Sequence, residues 1–237
     1  MNSTTTQSFN SSDWLALTVL TEYDYVGNVC GDGCGVKIIS PPGAGENRLK
    51  VTKEKSEEHY RAILESASRH FRERGFDAPS VSEIMIDAGL THGAFYGHFR
   101  SKADLAASAC RIAFEDRLSA WTSDISLSSY LDRYISAAHR DNRGKGCPMP
   151  AFASGIDNQG KAVQREYARG VADYIERIAG RLVDDGVSRL QAKKHAIGIV
   201  AAMVGGIVMA RATVSNHELS ADVLASARSS IAARFST

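Results

Sequence analysis

Between Thr91 and Phe99 the chain reads Thr-His-Gly-Ala-Phe-Tyr-Gly-His-Phe, a run of polar, small and polar-tipped aromatic residues that does not make a core set. His92 can donate a hydrogen bond to an acceptor on a base edge. Gly93 lets a backbone approach closely, and Ala94 offers a methyl to the methyl of thymine. Thr91 predicts the cap of a helix running to about Phe99, and a helix in a major groove presents its N-terminal residues to the bases. Ser80, Ser82 and Thr91 add hydroxyls and helix-start amides suited to phosphate oxygens. The chemistry is recognition of double-stranded DNA, with no bond made or broken.

These residues need a scaffold, and the neighbouring residues supply one. Ser80 with Glu83 three residues later is the spacing of a capping box, Ile84 and Ala88 share one face, and Gly89 closes a short first helix. A short helix, a Gly turn and a second polar-tipped helix over 78–103 make a helix-turn-helix. Phe95 and Phe99 read as its core contacts. Upstream, Tyr60, Ile63, Leu64, Ala67 and Phe71 recur at steps of three and four, an amphipathic helix that ends at Gly75 with Arg69, Arg72 and Arg74 on its last turns. The three helices are expected to share a core of Ile63, Phe71, Phe76, Val81, Ile84, Leu90 and Phe99. Ser101 then caps a long helix, Lys102 to about Trp121, that starts inside this module and leaves it. Ahead of the module, Arg48, Lys50, Lys53 and Lys55 form a basic arm suited to phosphates or a minor groove, or equally a solvated tail.

Beyond Asp124 the pattern is helical throughout. One segment is expected over 127–139 with Leu131, Tyr134, Ile135 and Ala138 inward, then a polar loop over 141–146. A helix start follows at Pro148 and Pro150, and a long helix over 161–185 closed by Gly186. A more apolar helix follows over 188–214, and a last one is capped by a box at Ser215 and Glu218. The fold class is all-α, an N-terminal three-helix helix-turn-helix domain at 51–101 and a larger C-terminal helical domain for ligand binding and dimerisation at 102–237. Residues 1–50, rich in Ser, Thr, Asn and Gly, read as a disordered leader, or as an over-long translation start before a natural beginning near Lys50 or Val51.

Lys plus Arg number 28 against 27 Asp plus Glu, so any affinity for nucleic acid must come from local placement of charge. Four scattered cysteines suit a reduced cytoplasm rather than a disulfide framework. Cys30 and Cys34 lack a second metal-ligand pair, so no metal is expected, and no cofactor either. The run from Ala196 to Ala210 is too short to cross a membrane, and the N-terminus carries no secretion signal. His139-Arg140-Asp141 spells a kinase-like triplet without the companion motifs, so an enzyme is not expected. Cys147 follows Arg143-Gly-Lys-Gly, where nearby cations and a helix start would lower its pKa and make it a thiolate sensor of oxidants or electrophiles.

The stretch Ile63 to Leu105 resembles the TetR family of bacterial transcriptional regulators. The resemblance rests on Gly75-Phe76, Ala88-Gly89-Leu90-Thr91, Phe95-Tyr96-Gly97-His98-Phe99 and Ser101-Lys102, and Gly146-Cys147-Pro148 is similar to one subgroup. Met85 stands where a small alanine is usual. The resemblance implies a repressor that releases a palindromic operator when an unknown small-molecule effector binds the larger domain. Under it, Tyr96 and His98 face the DNA backbone or base edges and Lys102 meets a phosphate. Candidate ligand-binding residues are Phe114, Trp121, Tyr134, Cys147, Met149, Phe152, Tyr167 and Tyr174, with Met203, and together they favour an apolar or aromatic ligand. A homodimer is expected through the last two helices, where Ala201, Ala202, Gly205 and Gly206 allow close approach and Val204, Ile207 and Val208 supply apolar contact. The alternatives are a helical adaptor that binds protein and the thiol sensor at Cys147.

Overall fold

A computed structural model describes residues 52–232. The leader, with Arg48, Lys50 and the Cys30–Cys34 pair, lies outside the described residues. Helix α1, Lys53–Arg74, opens where the Thr52 hydroxyl accepts the Lys55 N–H at 3.2 Å. It closes at Gly75, whose φ of +79° is open to glycine at little cost. Helix α2, Val81–Asp87, carries the whole capping box. The Ser80 hydroxyl accepts the Glu83 N–H at 3.1 Å, and the Glu83 carboxylate accepts the Ser80 N–H at 2.7 Å. Its far end is a Schellman turn, with Leu90 N–H on the Met85 carbonyl and Gly89 N–H on that of Ile86. Ile63, Phe71, Phe76, Ile84, Met85, Phe95 and Phe99 are buried together, while Val81 and Leu90 close the edge of this core.

The second helix of the pair differs from the expected α-helix. It is a six-residue 3-10 segment, His92–Gly97, and Thr91 caps it with no side-chain hydrogen bond. Two glycines within six residues cost helix stability, and the tighter i→i+3 ladder is what so short a segment sustains. Helix α3, Lys102–Ser119, is capped by the Ser101 hydroxyl on the Asp104 N–H at 3.1 Å, as its sequence predicts.

In the body, the single segment expected over 127–139 is two helices, α4 at Leu127–Tyr134 and α5 at Ala137–Asp141. Ile135 leaves helical backbone and Ser136 recaps, its hydroxyl accepting the His139 N–H at 3.2 Å. The break shifts the helical phase, so Ala138 is exposed and His139 is buried in its stead. Helix α6, Pro148–Phe152, begins on proline. Helix α7, Lys161–Asp184, ends in a second Schellman turn at Gly186, and α8 spans Arg189–Ala212. Helix α9, His217–Ala232, is capped by Asn216 rather than Ser215. The Asn216 Oδ1 accepts the Leu219 N–H at 3.1 Å, one residue out of register with the expected box.

Two glycines set close helix seams. A Cβ on Gly170 of α7 would lie 2.2 Å from the Phe114 ring on α3, and one on Gly206 of α8 would lie 2.8 Å from the Cβ of Ala227 on α9. The helix-turn-helix also rests on the body away from α3. Phe76 packs on Phe152 with ring centroids 4.6 Å apart, and Arg72 Nε donates to the Gly144 carbonyl at 2.7 Å.

Candidate nucleic-acid interface

Two phenylalanines hold the 3-10 segment from below. Phe95 and Phe99 are buried with their rings 5.7 Å apart, and Phe99 stacks on Tyr60 at 5.3 Å. With its apolar side committed, the segment turns Thr91, His92, Gly93 and Tyr96 outward, and Tyr96 keeps 69 % of its surface exposed. The His92 and Tyr96 rings meet edge to face at 5.8 Å, one continuous polar-tipped ridge. A Cβ on Gly93 would meet nothing within 4 Å, so this stretch of backbone is open to an approaching partner. Ala94 is half-buried beside it. His98 is also half-buried, its ring 6.1 Å from that of Tyr60 and 6.4 Å from that of His59. Burial, and then the neighbouring His59, hold its pKa below the usual imidazole value.

The flanking polar groups are partly committed to the fold. Ser82 is exposed, whereas the Ser80 hydroxyl accepts within the capping box and retains its own proton for donation. The Ser80 N–H and then Arg74 pull the Glu83 pKa down to about 2, which keeps the box ionised. Lys102 donates from Nζ to the Asp77 carbonyl at 2.8 Å, leaving two of its three N–H groups for any other acceptor. Asp87 takes hydrogen bonds from Ser66 and Arg69, tying α2 to α1. Lys53 and Lys55 are exposed at the start of α1, and Lys55 pairs with Glu58 at 3.7 Å. Arg100 is exposed directly behind the segment, a cation whose single-residue signal in the sequence had nothing to set it apart.

In the body, the residues expected to line an effector site are close-packed. Phe114, Trp121, Tyr134, Cys147, Met149, Phe152, Tyr174 and Met203 are buried, and Tyr167 is partly so. Trp121 stacks on Tyr130 at 3.9 Å, the Tyr130 hydroxyl lies 3.3 Å from that of Tyr174, and Tyr167 donates to the Met149 carbonyl at 3.0 Å. A cavity of about 730 Å³ lies elsewhere, between α4, the end of α7, the start of α8 and the end of α9. None of the nine lines it. Leu131 and Ile135, which do, read as inward from their spacing, but spacing does not say where inward faces fail to meet.

Cys147 departs from the expected thiolate. Its side chain is wholly buried, and burial pushes its pKa up, outweighing the hydrogen bonds that act in the other direction. The cations that would have lowered it, Arg143 and Lys145, point to solvent. The residue is instead pinned by His139, whose Nε2 accepts the Cys147 N–H at 2.9 Å, so that Nδ1 carries the proton given to the Tyr134 carbonyl at 2.7 Å. Burial lowers the His139 pKa to about 4.

The outer face of α8 is apolar and open. Ile197 is 50 % exposed, Met209 57 %, and Ala201 and Val208 lie between them at helical spacing. Leu219 of α9 is exposed as well. Gly206 and Ile207, expected in the same surface, turn inward, Gly206 against α9. By length and composition α8 could cross a membrane, but its Ala196, Ile199 and Met203 face is buried in the protein.

Comparison with known proteins bears on both parts. The family model for bacterial regulatory proteins of the tetR family matches residues 63–109, and that for the C-terminal domain of LmrA/YxaF-like transcriptional regulators matches 125–222. The chain is 43% identical to the HTH-type transcriptional regulator AcrR of Shigella flexneri over 56 residues, 24% of this chain and 26% of AcrR. It is 28% identical over 151 residues to the HTH-type transcriptional regulator YfiR of Bacillus subtilis, 59% of this chain and 71% of YfiR. The match thus spans about a quarter of the length of relatives such as AcrR. A crystal structure of a TetR transcriptional regulator from Chloroflexus aurantiacus superposes with a TM-score of 0.62 at 22% identity, over 78% of this chain and 97% of that one, a likeness of fold.

Proposed function

The chain belongs to the TetR family of bacterial transcriptional regulators, and from that premise we propose that it is a sequence-specific DNA-binding repressor, released from a palindromic operator by a small molecule. The observation that carries the reading is the ridge of Thr91, His92, Gly93 and Tyr96, exposed above the buried pair Phe95 and Phe99. A side chain that reads a base edge must be solvent-facing, as this ridge is, and the buried Phe95 and Phe99 anchor the segment that carries it. His92 donates to a base acceptor in the major groove, Gly93 lets the backbone close on the duplex, and Ala94 meets a thymine methyl at the edge of the contact. Tyr96, Ser82, the Ser80 and Thr91 hydroxyls, and the remaining Lys102 N–H groups bind phosphate and set the register. His98, tucked against Tyr60, supports the ridge from behind.

One such module reads few base pairs, so two copies act together. The open face of α8 with Leu219 of α9 is the dimer surface, and the two-fold axis sets half-sites about one turn of DNA apart, about 34–36 Å. Release requires an effector that binds the non-DNA conformation more tightly, roughly 10⁴-fold for near-complete switching. Two routes join body to head: α3, which starts at Lys102, and the seam where Arg72 holds Gly144 and Phe76 holds Phe152.

Selection from random duplexes at stated salt, followed by sequencing, tests this. A two-fold symmetric consensus bound in the nanomolar range is expected, with His92→Ala costing about tenfold or more and relaxing one position in each half-site. Binding without a consensus, or with one lacking two-fold symmetry, refutes it.

A further inference from the structure

We propose that the cavity between α4, α7, α8 and α9 is a binding site for an apolar organic cation. The inference rests on reading the chain as an effector-released regulator, and it moves the effector away from the packed aromatic centre. At about 730 Å³ the cavity falls within the range of small-molecule sites, about 300–1,000 Å³. Its walls are apolar, with Leu127, Leu131 and Ile135 from the α4 side facing Leu182, Val187 and Ile231. Such walls take up a hydrophobic body and leave its sign of charge to the polar groups at the rim.

The net charge at that rim is negative, so the sign it selects is positive. Asp132 and Asp185 line the cavity from α4 and from the end of α7, and both are exposed. Neither carboxylate has a hydrogen bond or ion pair among the described residues. Arg228 is the one guanidinium on the lining, so formal charge there is two carboxylates against one cation. His195 is also on the lining, and its Nδ1 is buried with no hydrogen-bond partner among the described residues. A cation with an apolar body satisfies the walls and the carboxylates together, whereas an anion of the same shape meets a net repulsion.

The cavity is also connected to the DNA-binding head. Its wall residue Leu131 accepts the N–H of Ile135 through its carbonyl, and the carbonyl of Tyr134, three residues on, accepts from His139. His139 holds Cys147, and three residues earlier Gly144 receives Arg72 of α1. A molecule that shifts α4 by filling the cavity acts on a hydrogen-bonded series ending in the head.

The test uses two ions of the same shape and opposite charge, tetraphenylphosphonium and tetraphenylborate, titrated calorimetrically into the full chain. The phosphonium is expected to bind about tenfold more tightly at low salt, with the difference shrinking in high salt because the carboxylates are exposed. Joint Asp132→Asn and Asp185→Asn, both at exposed positions, should bring the ratio near one, and Ser128→Trp at the mouth should weaken both ions. Equal or tighter borate binding overturns the proposal. So does a ratio unchanged in the double variant, or phosphonium binding unchanged in Ser128→Trp. Duplex selection without either ion separates the two readings: a selected operator with no phosphonium binding sinks the site alone, and phosphonium binding without a selected operator sinks the regulator alone.

Discussion

Replacing Gly170 by alanine should destabilise the protein, while the same change ten residues on, at Gly180, should stabilise it. Both lie in α7, so both exchanges gain about 1 kcal/mol of intrinsic helix propensity. Their surroundings differ. A Cβ at Gly180 meets nothing within 4 Å, and the residue is exposed. A Cβ at Gly170 would lie 2.2–2.4 Å from three atoms of the Phe114 ring. That ring must retreat by about 1 Å to restore ordinary contact, yet it is buried between Tyr167 and Tyr174, at 5.7 and 6.1 Å. Overpacking of this kind costs about 1–3 kcal/mol, at times more, and the upper part of that range applies because no neighbour is free to yield. After the propensity gain the net loss is about 1–2 kcal/mol, against a gain of about 1 kcal/mol at Gly180. For a chain of this size the two melting temperatures should differ by roughly 4–12 °C. Scanning calorimetry at one protein concentration and pH measures it, and Phe114→Leu combined with Gly170→Ala should recover stability relative to the sum of the singles. If Gly170→Ala melts at or above Gly180→Ala, the α3–α7 seam is not as tight as described, and the seating of the helix that carries the DNA-binding head must be redrawn.

Acid should weaken the fold through His139. Its pKa is near 6.5 in the unfolded chain and about 4 when buried, so the unfolded state binds more protons between those values. Stability is then full above about pH 6.5 and falls as pH drops toward 4, by about 3 kcal/mol in all; urea unfolding of His139→Gln should be flatter from pH 6.5 to 4.5. Cys110 and Cys147 are both buried, with the Cys110 pKa pushed up to about 12, so peptide-level mass spectrometry should find both unalkylated by iodoacetamide at pH 7.5 until the protein unfolds. Rapid alkylation of Cys147 in the folded chain would restore the thiol-sensor reading. Met209→Glu places a charge in the open α8 face, and sedimentation should show a shift to monomer with operator affinity reduced at least about tenfold; a dimer of undiminished affinity would place the interface elsewhere.

Much of this protein was legible in one dimension, because its signals are local. Ser80 with Glu83, Gly75, Gly89, Gly186 and Ser101 fall where caps and turns form, since a cap needs only residues three or four apart. The inward face at steps of three and four was equally readable for α1. Local rules failed where two of them competed within a few residues: at Ile135 and Ser136, which turned His139 inward in place of Ala138; at Asn216 beside Ser215; and at Gly93 and Gly97, which tightened the reading segment into a 3-10 turn. The tertiary structure alone decided which buried surfaces meet and which leave space. Aromatic residues on three helices close on one another, while shorter aliphatic residues of α4, α7 and α9 fall short of contact and leave about 730 Å³ beside two carboxylates that have no partner among the described residues. It also decided the state of Cys147, because the cost of ionising a thiol depends on the water it has lost, and burial is a property of the whole fold.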